Sequence, residues 1–119
     1  MSKSDNMYMP EKDPQSVEPY FFVFCSRDGT NDGTTSDKGE LQGATISTIT
    51  SVTAETGLTV SSSNKNAVTI KGVSYGANTV VTAWLSGGTD GTDYDVECII
   101  TTSDSRTLAK TMIVPVRQL

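Results

Sequence analysis

The 119-residue chain has no histidine. That absence removes the imidazole from any Ser-His-Asp triad, any Cys-His pair and any metal site, and with it the usual general base near neutral pH. Long apolar runs are missing too. The longest, Tyr20 to Cys25, is six residues, against the about 20 needed for a membrane-crossing helix. Positive charge is scarce: nine Lys+Arg stand against fourteen Asp+Glu, a formal charge of −5. The cations are scattered, and phosphate recognition needs a concentrated basic patch, so neither nucleic acid nor membrane is an expected partner. Hydrophobic residues make up 35%, below the about 45–50% of ordinary domains. The core must therefore be economical, with little left to line a ligand cavity.

Cysteine is limited to Cys25 and Cys98. A bridge between two sheets would suit an immunoglobulin domain, but there the buried Trp follows soon after the first Cys. Here Trp84 comes far downstream. No apolar leader opens the chain, so a reducing compartment and two buried free thiols are expected, with a disulfide as the alternative. Neither Cys has the basic neighbours that would make a reactive thiolate.

What the chain does have is hydroxyl side chains, 18 Thr and 14 Ser, set in short β-branched segments between turn residues. Strands are expected at Tyr20–Cys25, Ala44–Val52, Leu58–Val60, Val68 to about Gly76, Thr79–Leu85, Tyr94–Ile100 and Leu108–Val116. No helix is expected. Seven or so short strands indicate an all-β fold, an immunoglobulin-like antiparallel sandwich. Residues 1–18, with Pro10 and Pro14, read as an extended N-terminal arm, and residues 19–119 as the sandwich. A fragment lacking 1–18 is then expected to fold. Met7, Tyr8 and Met9 stand out in that polar arm as partner anchors; the alternative is a disordered tail with chance apolar residues. The turn Ser86–Gly91 adds Gly87, Gly88 and Asp90 as partner-contact candidates. Tyr94, Val96, Cys98 and Trp84 are assigned to the core, Tyr94 in the context of a tyrosine corner. For Trp84 the alternative is an exposed contact anchor. Pro115 should lie at a sheet edge or pair on one side only.

Chemistry-bearing constellations are thin. Asp28, Thr30, Asp32 and Gly33 begin like a calcium loop, but Gly39 stands where the bidentate Glu is needed. The acidic stretches Asp28–Asp37 and Asp90–Asp95 read as solvated turns. Asp93, Asp95 and Glu97 share a strand face, which suits a soluble outer surface better than glycosidase chemistry. No catalytic, cofactor-binding or metal residue is assigned, and no cofactor is expected.

The run Thr82-Ala83-Trp84-Leu85-Ser86-Gly87-Gly88-Thr89-Asp90-Gly91-Thr92-Asp93-Tyr94-Asp95-Val96, with Ile99–Ser103 and Arg106-Thr107-Leu108, resembles a family of small tailed-bacteriophage virion proteins. Asp13-Pro14, Val17 and Tyr20 match that family's N-terminal element. The resemblance runs from about Asp13 to Arg117. It implies an immunoglobulin-like fold and a non-enzymatic virion component, foremost an adaptor attaching fibres to the tail. The implied partners are other virion proteins, tail, fibre or capsid subunits, in multiple symmetric copies; the implied location is the virion, assembled in the host cytoplasm. A capsid decoration protein is the alternative, and a carbohydrate-binding module using exposed aromatics such as Trp84 or Tyr75 a weaker one. Three residues at two places depart from the family: Phe24-Cys25-Ser26 replaces a common Asp-Trp-Ser, and Ser105 stands where glycine is usual.

Overall fold

The computed structural model describes residues 7–8, 10–25 and 39–118, with only the backbone of Met7 and Tyr8. The expectations for Met9 and for Asp28–Asp37 fall outside the described residues. Those residues form nine strands and no helix: β1 (Met7–Tyr8), β2 (Val17–Val23), β3 (Ile46–Ala54), β4 (Leu58–Asn64), β5 (Val68–Ile70), β6 (Val73–Tyr75), β7 (Val80–Gly87), β8 (Thr92–Thr102) and β9 (Thr107–Val116). One sheet has the order β1-β9-β8-β3, a second β2-β7-β4, and β5-β6 stand apart as a hairpin. All named strand pairs are antiparallel except β1 with β9.

The count exceeds the expected seven for two local reasons. The stretch from Val68 to Tyr75 folds back on itself at Lys71-Gly72, whose φ angles are 49° and 84°. Two successive positive φ values make the tight hairpin turn that a glycine at the second position permits. The other addition is β1, in the expected arm: Met7 and Tyr8 pair with Met112 and Ile113.

Alternation builds the core. Along β8, Tyr94, Val96, Cys98 and Ile100 are buried while Asp93, Asp95 and Glu97 face out, the two-residue period of a strand with one wet face. Met112, Val114 and Val116 of β9 join them from the same sheet, and Tyr20, Phe22, Val81, Ala83 and Leu85 join from the other. The two sheets thus share one apolar cluster. Edge strands β3 and β4 are Ser/Thr-rich and interrupted by register shifts at Ile46/Thr48, Ile49/Ser51 and Val60/Ser62. Such bulges discourage uncontrolled pairing with other chains.

Pro115 lies opposite Asp93 in the β8–β9 ladder. Its carbonyl accepts from Lys12 N at 2.9 Å, so its nitrogen also points toward the arm and the β8 ladder loses no donor.

Two expectations need correction. Trp84 is not in the core: it is 37% exposed on the outer side of β7, because inward positions fall to Val81, Ala83 and Leu85 and strand alternation sends Trp84 the other way. The boundary placed between residues 18 and 19 falls inside β2, which starts at Val17. Lys12 is fully buried and bridges to Val116, so the segment before β2 packs with the sheets.

Candidate interaction surface

Three segments meet at one end of the molecule: the strap at residues 10–16, the turn after β7, and the C-terminal residues 115–118. Asp13-Pro14-Gln15-Ser16 forms a β-turn in which Ser16 N donates to Asp13 O at 3.0 Å. Asp13 Oδ1 caps the turn by accepting from Gln15 N at 2.8 Å. Proline at the second position presets the backbone for this reversal. The strap is thereby redirected into β2, and Tyr20 Oη donates back to Pro10 O at 3.0 Å. Lys12 is the fastener. Its Nζ donates to Gly87 O at 2.7 Å and Asp13 O at 2.9 Å, while Arg117 N donates to Lys12 O at 2.9 Å. Desolvation by burial lowers the Lys12 pKa, against the raising fields of Glu18 and Asp13.

The glycine turn is explained by packing. A Cβ on Gly88 would lie 2.7 Å from Val116 Cγ2, and one on Gly57 3.0 Å from the Tyr94 ring and hydroxyl. Gly88 N donates to Gly57 O at 3.0 Å and Gly91 N to Val116 O at 2.8 Å. Tyr94, Val96 and Cys98 lie in the core cluster, and the Tyr94 hydroxyl accepts from Thr89 N at 2.9 Å; hydrogen bonding by the Thr89 side chain, and then by this backbone N–H, lowers the Tyr94 pKa. Of the turn residues proposed from sequence, Gly87 and Gly88 are half-buried and Asp90 is exposed. Asp90 Oδ1 accepts from Gln118 N at 2.9 Å, and Asp93 pairs with Arg117 at 2.8 Å. Met7 and Tyr8 lie further along β9 and are not beside this turn by register. Among the described residues no group of His, Cys, Asp and Glu side chains could hold a metal ion.

At the opposite end Arg106 and Lys110 close the structure. Arg106 donates to Glu40 O and Leu41 O and pairs with Asp104; Asp104 also accepts from Thr102 Oγ1, and these hydrogen bonds lower its pKa. Lys110 Nζ donates to Val23 O at 2.6 Å, pairs with Glu40 at 2.8 Å and sits 5.3 Å from the Phe24 ring centre. Lys110, a polar interruption on the inward side of β9, thus ties the two sheets at their rim. Cys25 and Cys98 are both buried, and burial pushes the Cys98 thiol up to about 12.

Sequence reasoning missed Lys12 and Val17. Lys12 is one charged residue in a polar segment, and Val17, though part of the family's N-terminal element, precedes the aromatic run that marks the strand, so its place in β2 and its exposure carry no signal in the pattern. Val17 is 56% exposed.

Residues 12–115 match the family described as podophage GP4 fiber-tail adaptor protein gp77. Neither a curated protein nor a solved structure matches the chain. The family match begins at the buried Lys12 and ends at Pro115, so it covers the strap, both sheets and the glycine turn, and the chain belongs to the podophage GP4 fiber-tail adaptor family.

Proposed function

We propose that this virion adaptor works as a rigid immunoglobulin-like sandwich, present in several symmetric copies at the junction of tail and fibres and incorporated during assembly in the host cytoplasm. The observation that carries the reading is the family match across residues 12–115. The sandwich form is supported by successive crossings between the two larger sheets, β2 to β3, β3 to β4 and β7 to β8, around one apolar cluster. The role is structural, not catalytic. The polar groups at the strap end are engaged in bonds within the chain, with Lys12, Arg117 and Asp90 each committed to backbone or side-chain partners. Such an end is suited to carrying load between two protein partners.

Partner contact is assigned to the arm residues Met7, Tyr8 and Met9, and to Asp90 at the exposed side of the turn. Gly87 and Gly88 support that turn from within. Fractionation of disrupted particles tests the assignment: tails purified free of capsids should retain the chain. Recovery only with capsid shells would favour the decoration reading.

A further inference from the structure

The two large exposed hydrophobic residues among those described, Trp84 and Val17, lie on the same outer sheet face. Pro19 pairs opposite Trp84 and Val17 opposite Ser86, so strand alternation places Val17, Pro19 and Trp84 side by side. Ser62, the partner of Trp84 in β4, and Thr59, the partner of Ser86, continue the same face. Every outward position of β2, β7 and β4 is uncharged. Val80 and Thr82 are buried, so the accessible part is the half around Trp84. The core does not use this tryptophan: Ala83 and Leu85 on its flanks are fully buried on the other side of the strand.

The outer face of the other sheet is different. Asp93, Asp95 and Glu97 alternate along its central strand β8, and Asp95 and Glu97 are exposed. A cationic partner of this −5 chain would be drawn there and would find nothing to pair with around Trp84. Charge complementarity therefore selects an uncharged occupant for the Trp84 face. Val17, Pro19 and Trp84 alone fall far short of the about 800 Å² per partner of a stable interface, and a dimer of the free protein that Trp84→Arg abolishes would seat a second copy there and overturn the proposal below. Aromatic anchors of this size are instead the energetic centre of a wider contact, rimmed by neutral residues that exclude water.

We propose that the outer face of β2-β7-β4, centred on Trp84, is the seat for an uncharged apolar surface of another virion protein. The proposal rests on the adaptor reading. It is tested by supplying full-length variants to phage that lack the chain and measuring their incorporation into particles. Trp84→Arg and, separately, Val17→Asp should each lower incorporation about tenfold or more, while far-UV circular dichroism shows the free proteins folded. Glu97→Lys, on the opposite face, should incorporate normally. Binding of the parent chain to particles lacking it should change little between about 0.05 and 0.5 M salt. Normal incorporation of both Trp84→Arg and Val17→Asp overturns the proposal. So does steep weakening by salt, or saturable glycan binding by the free protein that Trp84→Ala abolishes. Absence of the parent chain from tails would instead overturn the adaptor reading itself, so the two failures are distinguishable.

Discussion

Lys12 offers the sharpest test of how the N-terminal segment belongs to the fold. The Lys12→Ala substitution removes three buried methylenes, worth about 2 kcal/mol at the usual value per methylene. It also removes a charged donor from Gly87 O and Asp13 O, for which about 1.5–3 kcal/mol is typical. The ammonium's own desolvation, visible in its lowered pKa, offsets part of this. The expected net loss is about 3 kcal/mol, a large share of the about 5–15 kcal/mol that holds a domain folded. Lys12→Met keeps most of the apolar stem and should lose about half as much, mainly through the unpaired carbonyls. Urea unfolding followed by circular dichroism reads both. With a slope near 2 kcal/mol per molar, the Ala variant should shift its midpoint down by about 1.5 M. Deleting residues 1–18 removes the strap and the first two residues of β2 together, and should leave no cooperative transition. If Lys12→Ala shifts the midpoint by less than about 0.3 M, or the deletion unfolds cooperatively at the parent midpoint, the fastener account is wrong.

Alkaline pH should unfold the protein through groups whose folded pKa is raised. Burial puts Cys98 at about 12 from 9.0, and burial with the field of Glu18 puts Tyr20 at about 12 from 10.0. In each case the unfolded chain releases its proton first, so the stabilisation is present below the unfolded pKa and is lost as pH rises from 9 toward 12. Melting curves should be flat near pH 8 and fall beyond pH 9, with a shallower fall in Cys98→Ala; an unchanged slope in that variant contradicts the assignment. Gly88→Ala should destabilise by about 2–3 kcal/mol through overpacking and positive φ, whereas Gly91→Ala, whose Cβ meets no atom within 4 Å, should lose only about 1 kcal/mol. Equal losses by urea titration would refute the packing argument. Ser105 has φ of 68°, so Ser105→Gly should raise stability by up to about 1 kcal/mol; no gain in the urea midpoint would remove strain as the reason. Both thiols should resist a thiol reagent in the folded protein and react fully in denaturant without reduction; a linked peptide pair by mass spectrometry would overturn this.

The strands were legible wherever one face is wet. Asp93 to Ile100 announces its own register because acidic and apolar residues alternate, and the resulting burial follows that alternation. Trp84 was misplaced because β7 carries apolar residues on both sides, so residue type could not say which face turns inward; the neighbours Ala83 and Leu85 decided it. The split of β5 and β6 rested on a single Lys71-Gly72 turn inside an otherwise continuous Val/Ile pattern. The candidate surface was harder. Glycines of the turn look like contact residues in sequence, but their spacing reflects the Tyr94 ring and the Val116 side chain that press against them. Lys12 was invisible because its partners, the carbonyls of Gly87 and Asp13, are backbone groups that no side-chain pattern records. The departure at Ser105, by contrast, acquires a physical meaning: the position takes the left-handed conformation that glycine adopts without strain.

The central claim, that the chain joins fibres to the tail, is tested most directly by electron cryomicroscopy of intact particles. Density for the two-sheet domain should appear in repeated copies where fibres meet the tail, with the Trp84 face against a neighbouring protein. Density for it on the capsid shell, and none at the fibre attachment site, would contradict the account.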